Sequence, residues 1–222
     1  MQTIPLRISA PGRRDGTVTF IDGDHVQPVR WSEIDRDARS VAVGLAARGV
    51  RPGDHVALLG PTTRDLVTTI EGIWLAGATI VVLPLPMRMS SIEEFVASTR
   101  KRILGADSRL LVVDAELAPY IEPADGDPPM VSYDDLRGDG GAWQAPPAIA
   151  TALDLDPETD VAVSWLPLYH DMGLVGILTS AMARGVDLVL AGPQTFMASP
   201  SRWVQWLSDY KATITAGPNF AW

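Results

Sequence analysis

The side chains of this sequence that are best suited to binding or catalysis belong to a histidine and an aspartate, His170 and Asp171. They follow an apolar run at 161–166 that is typical of a buried strand, and Pro167 ends the strand because proline cannot donate to a sheet ladder. Gly173 then permits a tight turn into the next helix. Open α/β sheets bind ligands outside the carboxyl ends of their strands. The pair is therefore predicted to lie beside a ligand.

His170 is the main candidate for substrate contact. This ring could bond a substrate oxygen whether or not it is protonated. Its alternative role is structural: it could cap the following helix or bond Asp171. Asp171 could orient His170, but we favour a place in the first helical turn, where a carboxylate is stabilising by about 0.3–1 kcal/mol. The three histidines show no HxH or HxxxH spacing, so no metal site is predicted.

Alternating strands and helices must position these residues. Strands are predicted at 17–21, 25–29, 56–59, 79–83, 110–113, 130–133, 161–166, 187–190 and 212–215, and helices at 31–49, 64–76, 90–104, 171–184 and 199–210. Ser90 with Glu93 forms a capping box, and Ser199 is predicted to cap the last helix. Trp203 and Trp206 share one face of that helix and are predicted to pack. The fold class is α/β, with parallel sheets flanked by helices.

The alternation divides one incomplete domain, 1–222, into three stretches. Residues 1–120 form a first α/β part and residues 161–222 a second. Between them, residues 121–160 are rich in Pro, Gly and Asp and form a connection.

Bulk composition excludes several classes of function. The net charge of −9, from 27 acidic and 18 basic residues, argues against a general nucleic-acid or anionic-membrane surface, although a local loop could still bind ATP. There is no cysteine, hence no disulfide or thiolate site, which fits a reducing cytosol. The sequence starts without the basic segment and apolar core of a secretory signal, and its apolar runs are far shorter than the roughly 20 residues of a membrane span. We expect a cytoplasmic protein.

The run from Val163 to Leu174, VSWLPLYHDMGL, resembles the signature of fatty acyl-AMP ligases, within the superfamily of adenylate-forming enzymes. A second match runs from Ala212 to Trp222, and a third, weaker one covers 17–20 with the helix start at Trp31 and Ser32. The family fold agrees with the α/β class predicted from the strands and helices.

The resemblance implies a reaction in two parts. A fatty acid attacks the α-phosphate of ATP, with Mg²⁺, to form acyl-adenylate and pyrophosphate. The acyl group then passes to an acyl carrier protein, often one serving a polyketide synthase, or to CoA. By resemblance His170 positions the adenylate, and the substrate-binding residues are Trp165, Pro167, Asp171, Met172, Gly173, Gly217, Pro218, Asn219 and Phe220. The stretch 217–220 would also serve as a plain strand-to-helix turn.

The sequence departs from the family on the nucleotide side. The family carries a Gly/Ser/Thr-rich phosphate loop upstream of the His-Asp pair, and the only glycine cluster in that stretch is 138–141, GDGG. It offers no Ser, Thr or Lys, and Asp139 would repel a phosphate. The sequence also ends at Trp222, before the family's adenine- and ribose-binding motifs and the domain with the catalytic lysine.

We therefore predict the amino-terminal piece of a ligase with an internal gap, placed between Pro147 and Asp154. Such a chain keeps the acyl-side elements, lacks the cofactor-binding ones and is inactive by itself. The alternative hypothesis is a non-catalytic remnant that binds an acyl group or a partner protein.

Overall fold

The computed structural model describes residues 14–85, 91–138 and 155–218. Its strands are β1 (Thr17–Asp22), β2 (His25–Arg30), β3 (His55–Leu59), β4 (Thr79–Val82), β5 (Ser108–Val113), β6 (Met130–Ser132), β7 (Val161–Ser164), β8 (Asp187–Ala191) and β9 (Ile214–Thr215). Its α-helices are α1 (Trp31–Ala47), α2 (Arg64–Leu75), α3 (Ile92–Gly105), α4 (Ser180–Arg184), α5 (Pro193–Ala198) and α6 (Ser201–Asp209). A 3₁₀ turn occupies Ala118–Tyr120 and a π-helix Met172–Thr179. No helix of the described ranges is long and apolar enough to cross a membrane.

The described residues form two compact units, one containing 14–35 and 155–218, the other 36–85 and 91–138. This division differs from the linear one predicted from the sequence. The first two strands belong with the late ones because β1 pairs with β8, for example Val18 with Leu188. The predicted gap between Pro147 and Asp154 lies outside the described residues.

The sheet of the first unit has the order β2-β1-β8-β7-β9 among the described residues. All its pairs are parallel except the hairpin of β1 and β2. β8 lies in the middle, between β1 and β7. Its residues Leu188, Val189 and Leu190 point alternately to the two faces of the sheet and are all buried, so both faces are covered here. This unit carries the His-Asp pair.

The sheet of the second unit has the order β4-β3-β5-β6, and every pair is parallel. Ala57, Leu59, Leu111 and Val113 form its buried core. The strands of an all-parallel sheet are covered on both faces, which is why these segments are continuous apolar runs. The predicted class, α/β with parallel sheets flanked by helices, is confirmed.

Two predicted helix starts are wrong. Ser91 caps α3, since its hydroxyl accepts the Glu94 N–H at 3.2 Å, while Ser90 lies outside the described residues. The helix predicted from Ser199 begins at Ser201 without a side-chain cap. A separate short helix, α5, precedes it, and the Ser199 N–H bonds back to the Phe196 carbonyl at 3.1 Å.

Candidate functional site at the carboxyl ends of β7 and β9

The carboxyl ends of β7 and β9 lie side by side in the first unit. The two strands are parallel, and Val163 is paired with Thr215. The segment 165–171 leaves this edge after β7, and Gly217 and Pro218 leave it after β9. Two stretches that are about 50 residues apart in sequence therefore begin at neighbouring positions on the sheet edge where ligands of such folds bind.

Thr215 fixes β9 to its surroundings. Its hydroxyl donates to the Val163 carbonyl at 2.7 Å and accepts from the Trp203 indole N–H at 3.3 Å. These bonds join β9 to β7 on one side and to α6 on the other. Thr215 is not among the site residues predicted from the sequence. A threonine at the last position of a predicted strand is the one signal that could have drawn attention to it.

The turn after β7 packs tightly against itself. The Leu166 N–H is bonded to the Ser164 hydroxyl at 3.1 Å, and the His170 N–H to the Pro167 carbonyl at 3.2 Å. The backbone of Gly173 approaches the same carbonyl so closely that a Cβ there would stand 2.4 Å from the Pro167 oxygen. Glycine is required at 173 for this close approach rather than for an unusual φ angle.

The imidazole of His170 and the carboxylate of Asp171 meet at one backbone N–H. The N–H of Met172 donates to Asp171 Oδ1 at 2.7 Å and lies 3.2 Å from His170 Nδ1. His170 Nδ1 and Asp171 Oδ1 are themselves 2.7 Å apart. Asp171 thus caps the helix that follows, as predicted, and the structural role left open for His170 is also present.

The His170 side chain nevertheless remains 58% exposed. Its Nδ1 makes the contacts with Asp171 and Met172, while Nε2 bonds to none of the described residues. The local arrangement therefore orients the ring by one nitrogen and leaves the other available to a substrate atom. Neutral imidazole can donate or accept there, according to its tautomer.

The helix after His170 is not the α-helix predicted for 171–184. Met172–Thr179 is π-helical, and only Ser180–Arg184 is α-helical. Two hydroxyls support the wider turn, because Thr179 donates to the Leu174 carbonyl at 2.7 Å and Ser180 to the Val175 carbonyl at 3.3 Å. π-helical turns are rare and are often found at functional sites.

Trp165 lies in the core of the first unit. It is 4% exposed, stacks on Phe196 and meets Trp203 edge to face. Trp203 and Trp206 belong to the same core, which confirms their predicted packing role. The buried indole N–H of Trp165 bonds to no described residue. A contact between Trp165 and a substrate stays a prediction. In the structure the indole packs against the rings of Phe196 and Trp203.

The remaining predicted site residues have unequal exposure. Met172 is 41% exposed, Gly173 is buried, and Pro167, Gly217 and Pro218 are half-buried. Asn219 and Phe220 lie outside the described residues. Within the described ranges, no group of three or more His, Cys, Asp or Glu side chains could hold a metal ion.

Comparison with known proteins gives consistent matches. The profile of the AMP-binding enzyme family matches residues 9–140 and 141–222. The chain is 31% identical to a putative ligase, Rv1013, of Mycobacterium tuberculosis, over 94% of this chain and 45% of that protein. It is 27% identical to the long-chain-fatty-acid–AMP ligase FadD26 of Mycobacterium marinum, over 91% of this chain and 42% of that protein.

Solved structures share the fold. A structure of fatty acyl-adenylate ligases from E. coli and L. pneumophila superposes with a TM-score of 0.88 at 20% identity, covering 100% of this chain and 47% of that one. The L. pneumophila enzyme with acyl adenylate and pyrophosphate gives a TM-score of 0.81 at 20% identity, covering 100% of this chain and 45% of that one.

The chain thus spans about half the length of the relatives it matches. The family match falls into two segments that meet between residues 140 and 141. The match to the M. tuberculosis ligase extends over 245 residues, more than the 222 of this chain. That relative therefore has residues, between the ends of the match, to which nothing in this chain corresponds.

Proposed function

The chain belongs to the family of AMP-binding enzymes, and from this membership we propose that it is the acyl-side portion of an enzyme that activates a fatty acid as its acyl-adenylate. The observation that carries the proposal is the placement of the run 163–174 at the carboxyl end of β7, next to the end of β9. Relatives named as fatty-acid–AMP ligases support the choice of a fatty acid as substrate.

In the proposed first step, a carboxylate oxygen of the fatty acid bonds to the α-phosphorus of ATP, and the bond from that phosphorus to pyrophosphate breaks. His170 is a positioning group, because Asp171 and the Met172 N–H hold its Nδ1 side while the ring stays exposed. It would bond an oxygen of the acyl-adenylate through Nε2. Such reactions depend on positioning and on stabilising developing charge.

The nucleotide side of the reaction is not assigned to this chain. ATP and Mg²⁺ are implied by the family, and among the described residues no group of three or more His, Cys, Asp or Glu side chains could hold a metal ion. The glycine cluster at 138–141 carries an anion and no hydroxyl, which does not suit a phosphate loop. In an enzyme, removing one hydrogen-bond donor that stabilises the charge of the transition state lowers kcat by about 10²–10³-fold. We propose that the chain alone makes no acyl-adenylate.

The second part of the proposal concerns the acyl acceptor. The thiol of an acyl carrier protein, such as one serving a polyketide synthase, attacks the acyl carbon, and AMP leaves. The transfer step rests on the family resemblance, and the cytoplasmic location proposed with it rests on the lack of cysteine in the sequence. The alternative, a non-catalytic acyl-binding or partner-binding remnant, is not favoured, because the matched relatives cited above are named as ligases.

A binding experiment tests the proposal. The isotopically labelled chain is titrated with a non-hydrolysable acyl sulfamate analogue of a fatty acyl-adenylate, and NMR shifts are followed. We expect shifts in 165–175 and at Gly217, since both leave the same sheet edge. AMP alone is the matched control and should shift these signals far less. Shifts confined to other residues, or none in a folded chain, would contradict the proposed site.

An exchange assay tests the inactive state separately. Fatty-acid-dependent incorporation of labelled pyrophosphate into ATP should remain at background for the purified chain. Exchange above background would overturn the proposed inactivity while supporting the proposed reaction.

A further inference from the structure

The Nδ1 atom of His170 faces two partners that require opposite protonation of that nitrogen. It lies 2.7 Å from Asp171 Oδ1, and the Met172 N–H points at it over 3.2 Å. An ionised carboxylate only accepts hydrogen bonds, so Nδ1 must carry a proton to bond it. A backbone N–H only donates, so Nδ1 must be unprotonated to bond that group. The two bonds to Nδ1 therefore exclude each other.

The distances decide which partner Nδ1 bonds. The 2.7 Å between Nδ1 and Asp171 Oδ1 is at the short end of the hydrogen-bond range, as found for charged acceptors, and two lone pairs facing each other there would repel. The Met172 N–H has a shorter bond of its own, to the same carboxylate oxygen at 2.7 Å. It therefore does not depend on the 3.2 Å contact with the ring. The proton lies on Nδ1, between the ring and the carboxylate.

Asp171 has no competitor for this role among the described residues. No other carboxylate of the described ranges lies within 4.0 Å of either ring nitrogen of His170. The hydrogen bond made at one nitrogen of a neutral imidazole sets which of the two nitrogens is protonated. The aspartate of a Ser-His-Asp triad acts in this way, because it holds the imidazole in one tautomer.

We propose that Asp171 is a positioning residue that keeps the proton of neutral His170 on Nδ1, so that Nε2 is a hydrogen-bond acceptor. The consequence for binding rests on the proposed function. The acyl carbonyl and phosphate oxygens of an acyl-adenylate are acceptors as well, so the neutral ring cannot bond them through Nε2. His170 therefore binds such an oxygen as the imidazolium, in which both nitrogens donate. Its charge is then opposite to that of the phosphate.

Nitrogen NMR of the folded chain, labelled in its histidine rings, tests the assignment without any ligand. At a pH where the ring signals no longer change on addition of base, Nδ1 of His170 should resonate as a protonated nitrogen and Nε2 as an unprotonated one. Comparison with H170Q assigns the signals, since the chain has only two other histidines, His25 and His55. The reverse pattern, with the proton on Nε2, would overturn the proposal.

Asp171→Ala tests the role of the carboxylate. It leaves the Met172 N–H as the one described partner of Nδ1, and that group favours a proton on Nε2. The ratio of the Nδ1–H form to the Nε2–H form should fall at least about threefold, a modest change because both side chains are exposed. An unchanged ratio in a folded D171A chain would overturn the proposal. If D171A does not fold, the parent spectrum decides.

Ser91→Ala is the matched control. It removes the side-chain cap of α3 in the second unit, as D171A removes the cap of the π-helix, but it touches no partner of His170. It should leave the ratio of the two forms unchanged.

The acyl sulfamate titration examines the charged form. With the analogue bound, both ring nitrogens of His170 should resonate as protonated, and an unprotonated Nε2 in the complex would overturn binding as the imidazolium. A folded chain that does not bind the analogue would contradict the proposed function instead. The spectrum of the free chain would still decide the role of Asp171.

Discussion

The indole of Trp165 stacks on the ring of Phe196, with 3.7 Å between the ring centroids and 4° between the ring planes. Trp165 directly follows β7, and Phe196 belongs to the short helix after β8. The stacking thus joins the turn that carries His170 to the neighbouring crossover. We expect W165A to lower the free energy of unfolding by about 3–5 kcal/mol, the usual cost of removing a large buried aromatic.

The phenylalanine variant separates packing from polarity. W165F should lose less stability than W165A, because a ring remains and the Trp165 N–H has no described partner to lose. V204A, at a side chain that is 64% exposed, is the control and should change the free energy of unfolding by less than about 0.5 kcal/mol. Denaturant titrations measure all three. Equal losses for V204A and W165A would contradict the buried stack.

Two glycines of the same π-helix should respond oppositely to alanine. A Cβ at Gly173 would lie 2.4 Å from the Pro167 oxygen, whereas at Gly176 the nearest atom would be Met172 Cγ at 3.9 Å. G173A must displace backbone and should destabilise the chain by about 1–3 kcal/mol. G176A should be neutral or stabilising by up to about 1 kcal/mol, because alanine is the better helix former. Thermal unfolding of both variants measures the difference, and tolerance of G173A would refute the close approach.

His170→Ala should slow acyl-adenylate formation in a full-length relative that carries the same run. Loss of one positioning hydrogen bond of about 1.4 kcal/mol corresponds to a tenfold lower rate. The fold should survive, because the side chain is 58% exposed. Pyrophosphate exchange measures the rate, and circular dichroism checks the fold.

Asp171→Ala is the matched variant for that experiment. It removes the bond from the Met172 N–H and should cost about 0.5–2 kcal/mol of stability, the usual cost of losing a helix cap. Its effect on the rate should be smaller than that of His170→Ala. Unchanged exchange by a folded His170→Ala enzyme would leave the ring with its structural role only.

The free energy of unfolding should depend on pH through the carboxyl group of Asp127. Burial tends to raise the pKa of this carboxyl, but the hydrogen bonds from Arg100 and the Ala124 N–H outweigh it and hold the pKa below its ordinary value. The charged form is therefore favoured by folding. Its contribution is present above the unfolded-state pKa of about 3.9 and is lost as the pH falls through the lower folded-state pKa.

The variant D127N tests this dependence. It should be less stable than the parent at neutral pH, and the difference should shrink as the pH falls below about 4. Urea titrations at several pH values measure it. A difference that stays constant down to pH 2 would show that the Asp127 charge does not contribute.

Much of this fold could be predicted from short stretches of sequence. Buried parallel strands are continuous apolar runs, so β7 and β8 were recognisable from composition alone. Asp171 was correctly predicted to cap a helix, because capping depends on groups one or two residues away. Two serines show the limit of this reasoning. Ser91 caps α3 where Ser90 was predicted to do so, and no side chain caps α6 where Ser199 was predicted, because the cap depends on where the backbone turns.

The run VSWLPLYHDMGL by itself determined the family and placed His170 shortly after a strand, although that strand ends at Ser164 and not at the predicted Leu166. Only the tertiary structure decided which strands share a sheet, because pairs such as Val18 with Leu188 join residues that local patterns cannot connect. Tertiary packing also decided that Trp165 lies against Phe196 and that the helix after Asp171 adopts the π form. An apolar side chain specifies that it will be buried but not against what, and the choice between helix types depends on the hydroxyls and neighbours that surround the turn.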